Sequence, residues 1–119
     1  MLTEEKVKDF AAHWLQAWNS HDLDEIMWHY SEMVVLVSPA AVNILNDPSG
    51  MVKGKDALRA YFKRGLEVYP NLKFELLDVM WGLSSVVLYY MNQKGTKTGE
   101  FMELDSEGNV IRVVANYSG

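Results

Sequence analysis

The strongest constraint on the fold of this chain is the order of its hydrophobic patterns, which are helical first and strand-like afterwards. Apolar residues recur at helical spacing in three segments before residue 70, and four apolar strand-like stretches follow, separated by turn residues. Segregated helices and strands are typical of an α+β domain, whereas alternating ones would indicate an α/β domain. The chain has 119 residues and is predicted to form a single domain, residues 1–119.

Three helices are predicted from apolar periodicity and end signals. Thr3 can cap the first helix, and Asp22 with Glu25 forms a capping box for the second. The third helix follows Gly54 and is stopped by Pro70. The predicted apolar faces comprise Val7, Phe10, Ala11, Trp14 and Trp18 in the first helix, Leu23, Ile26, Met27 and Tyr30 in the second, and Leu58, Tyr61, Phe62, Leu66 and Tyr69 in the third.

Five strands are predicted, one between the second and third helices and four at the end. The first, residues 33–38, is short and rich in valine, and Pro39 ends it. Residues 39–53 contain two prolines and Gly50 and are predicted to be a loop. The last four strands are predicted at residues 72–81, 83–92, 98–104 and 109–117.

Composition argues against several classes of function. The net charge is −5 and lysine and arginine do not cluster, so we expect no nucleic-acid partner. The chain has no cysteine, and His13, His21 and His29 lack metal-ligand spacing, so no metal and no cofactor are predicted. The amino-terminal residues lack the pattern of a signal peptide, and no apolar stretch reaches transmembrane length. We therefore expect no membrane association and a cytoplasmic location.

Glu100 is the unusual residue of the strand region. Strand alternation places it on one face with Met102 and Leu104. If that face is buried, desolvation raises the pKa of the carboxyl group, which could then donate a hydrogen bond or exchange protons. Alternatively, Glu100 lies at a frayed strand start beside Gly99 and is solvated. Both interpretations are open at this point.

Both faces of the predicted strands are largely apolar, which has two consequences. One face covers the helices and forms a core predicted to include Trp18, Tyr30, Leu36, Phe62 and Val113. The other face needs a partner, since an exposed apolar sheet face usually marks an interface. We expect a homodimer through an outer face that includes some of the residues Val86, Leu88, Phe101, Val110 and Val114.

The order of elements resembles the nuclear-transport-factor-2-like superfamily, and in particular its SnoaL-like branch. The residues that carry the resemblance are Trp18-Asn19-Ser20-His21-Asp22-Leu23-Asp24, Tyr30-Ser31, Ser38-Pro39, Gly54-Lys55-Asp56-Ala57-Leu58 and Gly108-Asn109-Val110. The resemblance implies three helices packed in a strongly curved, mainly antiparallel sheet. This is a cone-shaped, cystatin-like α+β roll with an internal pocket, and it commonly forms homodimers.

The resemblance also suggests where a site would lie. The superfamily includes ketosteroid isomerases, dehydratases, epoxide hydrolases, polyketide cyclases and non-catalytic binding modules, so the fold alone does not decide the function. The tyrosine and two aspartates that carry the isomerase reaction fall, by similarity, on Trp14, Ser38 and Glu100. Only the third position keeps a carboxyl group. The aspartate–arginine–aspartate set of the epoxide hydrolases and the paired histidines of the dehydratases are not evident.

Two functions are therefore carried forward. The first is a non-catalytic domain that binds a small apolar, polyketide-like or steroid-like ligand in the pocket, or that serves as a dimerising accessory domain. The second is an enzyme of isomerase, lyase or cyclase type, with Glu100 as proton shuttle or hydrogen-bond donor and Ser38 or Tyr89 assisting. The residues predicted to contact the ligand are Trp14, Trp18, Tyr61, Tyr89, Met102, Val113 and Tyr117.

Overall fold

A computed structural model describes residues 2–119, which form four helices and one six-stranded sheet. The helices are α1 (Glu4–Asn19), α2 (Leu23–Met27), α3 (Pro39–Leu45) and α4 (Lys55–Val68). The strands are β1 (Tyr30–Val37), β2 (Met51–Lys53), β3 (Glu75–Trp81), β4 (Ser85–Met91), β5 (Lys97–Leu104) and β6 (Val110–Tyr117). The predicted α+β class is confirmed. No helix in residues 2–119 has the length and apolar character that crossing a membrane requires.

The sheet has the strand order β2-β1-β6-β5-β4-β3. Every neighbouring pair is antiparallel except β1 and β6, which run parallel. Register shifts interrupt the β1–β6, β3–β4 and β5–β6 pairings. Such irregularities increase the local twist and bend a strand, and here they help to curve the sheet around the helices. Helix α1 packs on β3, and α4 packs on β1 and β2.

The predicted helix starts are present. The hydroxyl of Thr3 accepts a 3.2 Å hydrogen bond from the backbone N–H of Lys6, which satisfies one free donor of α1. The carboxylate of Asp22 does the same for the N–H of Glu25 at the start of α2. Helix α4 begins directly after Gly54 and ends before Pro70, as the sequence indicates.

The segment 39–53 was predicted to be a loop, and that prediction is wrong. It contains α3 and β2, so the fold has four helices rather than three. Pro39 ends β1, but proline also suits the first turn of a helix, and Ser38 caps that helix by accepting from the N–H of Ala40 at 3.1 Å. Strand β1 begins at Tyr30, earlier than predicted, because α2 ends at Met27.

The predicted core is confirmed at every residue. Trp18, Tyr30, Leu36, Phe62 and Val113 are all buried. Strand β5 alternates as expected, with Thr98, Glu100, Met102 and Leu104 buried and the residues between them more exposed. The face of β5 that carries Glu100 is therefore the inner face of the curved sheet.

Three of the five residues named as candidates for the outer face are buried in the core instead. Val86 and Leu88 face inward, because they pair directly with Met102 and Glu100 and directly opposed residues share a face. The third position, Val110, is also fully buried.

A bulge in β6 accounts for the position of Val110. Leu104 pairs with Val110 and Glu103 pairs with Arg112, so Ile111 is an extra residue of β6 without a partner on β5. Because of this extra residue, Val110 lies on the face opposite to the one that simple alternation along β6 predicts. The paired Phe101 and Val114 are half-buried on the outer face, as predicted.

Candidate functional site

An internal cavity of about 90 Å³ lies between the helices and the inner face of the sheet. Helix α1 contributes Trp14 and Trp18 to its wall, and α4 contributes Tyr61, Phe62 and Gly65. The sheet contributes a further set of lining residues, which includes Tyr90, Glu100, Ala115 and Tyr117. Eight of the 19 described residues that line the cavity are aromatic, and aromatic walls with a few polar atoms are typical of small-molecule sites.

An outer depression of about 520 Å³ adjoins the cavity, and we call it the vestibule. The two spaces share Ala40, Tyr69, Asn92, Gln93 and Tyr117, which therefore form the mouth of the cavity. The vestibule is more polar, because Asn43, Lys94 and Ser118 also line it. A ligand held in the cavity could extend through this mouth towards solvent.

Glu100 lies in the cavity wall with only 8% of its surface exposed. Burial raises the pKa of its carboxyl group from an ordinary 4.5 to about 7, although a hydrogen bond from Tyr90 partly opposes the shift. That bond runs from the Tyr90 hydroxyl to Oε1 of Glu100 and is 2.8 Å long. The carboxyl group can therefore exist in either protonation state near neutral pH.

Several tyrosine hydroxyls surround this carboxyl group. Burial, and secondarily the charge of Glu100, raises the pKa of Tyr117 to about 12. Burial also raises the pKa values of Tyr61 and Tyr90, so these hydroxyls keep their protons at neutral pH. The hydroxyl of Tyr117 lies 3.2 Å from Oγ of Ser38 at the mouth. The site thus offers hydrogen-bond donors around one titratable acid.

Comparison with known proteins gives the family. Residues 11–115 match the SnoaL-like domain. The chain belongs to the SnoaL-like family. A SnoaL-like protein of unknown function from Burkholderia thailandensis is 34% identical, with a TM-score of 0.93 and 98% of each chain covered. The resemblance drawn from the sequence is confirmed.

Two more distant structures share the fold of this SnoaL-like domain. The epoxide hydrolase/cyclase-like enzyme SalBIII, described for its role in pyran ring formation in the polyether salinomycin, is 19% identical, with a TM-score of 0.74 over 99% of this chain and 95% of that one. A candidate ketosteroid isomerase from Kribbella flavida is 16% identical, with a TM-score of 0.75 over 97% of this chain and 79% of that one. None of the curated proteins matches the chain significantly.

The SnoaL-like domain brings six of the predicted site residues to the cavity wall. These are Trp14, Trp18, Ser38, Tyr61, Glu100 and Tyr117. Ser38 is almost fully buried, and its hydroxyl caps α3 while contacting Tyr117. In this arrangement the hydroxyl is occupied as a hydrogen-bonding group.

Three predicted residues lie outside the cavity wall of the domain. Met102 and Val113 pair with each other on the inner face, but both are fully buried in the core away from the cavity. Tyr89 pairs with Gly99 on the outer face, where its ring contacts Lys97 at 5.9 Å.

The tyrosine that reaches the site is Tyr90, one residue later than predicted. Pairing β4 with β5 across the turn at Gly95 places Tyr90 opposite Thr98, beside Glu100. Aligning the two strands about the turn at Gly95 would therefore have identified Tyr90 from the sequence.

A second polar cluster of the SnoaL-like domain lies apart from the cavity and was missed. His29 is not part of any predicted apolar face, but only 7% of it is exposed. Its Nε2 lies 2.6 Å from Nδ1 of His13, and Nε2 of His13 lies 2.8 Å from Oε2 of Glu25. Burial, and then the proximity of His13, lowers the pKa of His29 from 6.5 to about 4. Within residues 2–119, no group of three or more histidine, cysteine, aspartate or glutamate side chains is arranged to hold a metal ion.

Proposed function

We propose that this SnoaL-like protein binds a compact small molecule in its internal cavity, with the apolar part of the ligand against the aromatic wall and one polar atom at Glu100. The observation that carries the proposal is the position of Glu100. It is the only charged side chain among the described residues that line the cavity, and Tyr90 is its one hydrogen-bond partner there. Buried polar groups are normally satisfied, so a ligand atom at the carboxyl group would complete the site.

The size of the cavity restricts the ligand. A volume of about 90 Å³ corresponds to roughly three water molecules at their liquid volume. A polyketide-like or steroid-like ligand would therefore place only one end in the cavity and the rest in the vestibule. A ligand of a few heavy atoms would fit entirely.

Gly65 offers a direct test of this proposal. It lines the cavity from α4, and a Cβ atom added there meets nothing within 4 Å. Gly65→Leu should fill the cavity and abolish binding of small apolar ligands, measured by quenching of Trp14 and Trp18 fluorescence. Gly65→Ala is the matched control and should retain binding. Equal binding by both variants would argue against the cavity as the ligand site.

A second function, an enzyme of isomerase, lyase or cyclase type, is favoured by one further observation. The pKa of Glu100 near 7 lies close to the usual operating pH, which suits a general acid or base. The hydroxyls of Tyr90 and Tyr117 would then stabilise negative charge on the substrate. Such an enzyme should exchange the α-hydrogens of small ketones for deuterium in D₂O, as followed by NMR. The exchange should disappear in Glu100→Gln and persist in Tyr89→Phe.

We also propose a homodimer through the outer face of the sheet. Phe101 and Val114 are paired there and half-buried, and Val87 lies beside Phe101 on β4. A second copy covering this face would remove their apolar surface from water. The cytoplasm stays the predicted location of the protein.

A further inference from the structure

The formal charge in the described lining of the cavity is exclusively negative. Apart from Glu100, none of the described residues in the lining carries a formal charge at neutral pH, and no lysine, arginine or histidine is among them. The net charge of the whole chain is also negative, at −5. An anionic group in the cavity would thus meet repulsion without a compensating cation among the described lining residues, since Lys94 lines only the vestibule.

The aromatic wall adds to this asymmetry. The rings of Trp14 and Phe74 stack with centroids 5.7 Å apart, and Tyr90 contacts Phe74 at 4.5 Å and Trp14 at 5.3 Å. Trp18 continues the cluster, 5.7 Å from Phe74. The face of an aromatic ring carries partial negative charge and attracts cations. All four rings line the cavity together with Glu100.

The hydrogen bond at Glu100 favours its ionised form. Tyr90 donates to the carboxyl group, and burial keeps the Tyr90 hydroxyl protonated. The other hydroxyls whose pKa values respond to Glu100 belong to Tyr30, Tyr61 and Tyr117, and these also remain protonated. A buried carboxylate needs an opposite charge as well as hydrogen bonds. The described lining residues supply hydrogen bonds but no positive charge.

We propose that the cavity binds a compact organic cation, an ammonium group whose charge pairs with Glu100 and whose alkyl surface lies against Trp14, Trp18 and Phe74. The inference rests on the proposed ligand-binding function and names the chemical class of its ligand. Carboxylate and ring faces together attract a positive charge, and the cavity volume suits a head group of a few heavy atoms. Any longer portion of the ligand would pass the mouth into the vestibule.

The test uses two probes of the same shape and different charge, choline and 3,3-dimethylbutan-1-ol. Isothermal titration calorimetry of the wild-type protein at pH 7.5 should show choline binding at least tenfold more tightly than the neutral alcohol. Because binding must displace the proton of Glu100, choline affinity should fall about tenfold between pH 8 and pH 6, whereas the affinity of the alcohol should change little. Glu100→Gln should lose the preference for choline.

The outcomes separate this inference from the function on which it rests. Equal or tighter binding of the alcohol to the wild-type protein would overturn the cation proposal while supporting a ligand pocket. An unchanged preference for choline in Glu100→Gln would also overturn it. If neither probe binds but small apolar ligands still quench Trp14 and Trp18, the cation proposal fails alone. If nothing binds the cavity, both fail. The wild-type comparison does not depend on the variant folding.

Discussion

A 2.8 Å hydrogen bond inside the cavity wall links the hydroxyl of Tyr90 on β4 to the carboxyl group of Glu100 on β5. Because Tyr90 donates, the bond stabilises the charged form of Glu100 and lowers a pKa that burial has raised. Tyr90→Phe should therefore raise the pKa of Glu100 further, as measured by NMR titration of the side-chain carboxyl carbon. Tyr89→Phe, on the outer face, is the control and should leave the titration unchanged.

Glu100 should also make stability depend on pH. Its folded pKa of about 7 lies above the ordinary 4.5, so the folded state binds this proton more tightly than the unfolded state. The contribution of Glu100 to the free energy of unfolding is fully present below pH 4.5 and is lost as pH rises through 7. The total loss should be about 3 kcal/mol. Urea unfolding should show this loss between pH 4.5 and 8 in the wild type. Glu100→Gln should lack it, and the same pH slope in both proteins would contradict the assignment.

His29 should act in the opposite direction. Its folded pKa of about 4 lies below 6.5, so its contribution to stability is present above pH 6.5 and is lost as pH falls towards 4. Because the neighbouring His13 is partly exposed and solvent screens its charge, the loss should be on the order of 1–2 kcal/mol. His29→Gln should remove this slope while leaving that of Glu100. The measurement is urea unfolding of both proteins at a series of pH values down to pH 4.

Two glycines should respond oppositely to alanine. Gly65 lies in α4 with free space at its Cβ position, so Gly65→Ala should stabilise the protein by about 0.5–1 kcal/mol. Gly50 has a φ of +60°, and a Cβ there would lie 2.6 Å from the carbonyl oxygen of Ser38. Gly50→Ala should destabilise by more than about 1 kcal/mol. Thermal unfolding of both variants would show an increase and a decrease in Tm.

If the protein is a homodimer, a charged residue introduced into the outer face of the sheet should lower the molecular mass measured in solution. Phe101→Glu or Val114→Glu would place a carboxylate in the apolar centre of the outer face and should convert a dimer to monomers in sedimentation velocity at micromolar concentration. Leu83→Glu is the control, since Leu83 is 81% exposed and lies in the turn between β3 and β4. A wild-type protein that sediments as a monomer would refute the proposal.

Local sequence patterns predicted three of the four described helices, five of the six described strands and the face of β5 that carries Glu100, but not every face. Alternation in β5 and the caps at Thr3 and Asp22 depend on neighbouring residues, which the sequence contains directly. The choice between Tyr89 and Tyr90 depends on how β4 aligns with β5, and the position of Val110 depends on the bulge at Ile111. Both are set by pairing across the sheet rather than by local spacing.

Helix α3 and the histidine cluster were missed for different reasons. Pro39 can end a strand and can equally begin a helix, so the same residue supports two local structures. His13 lies in α1 and His29 lies 16 positions later in the turn between α2 and β1, and only the packing of α1 against α2 brings their rings into contact. No local spacing encodes such a pair.

The fold buries one acid and one base at separate places, and this affects the proton balance of unfolding. Between pH 4.5 and 6.5, Glu100 should release a proton to solvent when the chain unfolds, whereas His29 should take one up. These two exchanges nearly cancel, so in this range the pair should make the calorimetric enthalpy of unfolding depend little on the ionisation enthalpy of the buffer. In His29→Gln the cancellation is lost, and the enthalpy should then vary with the buffer by the heat of one proton.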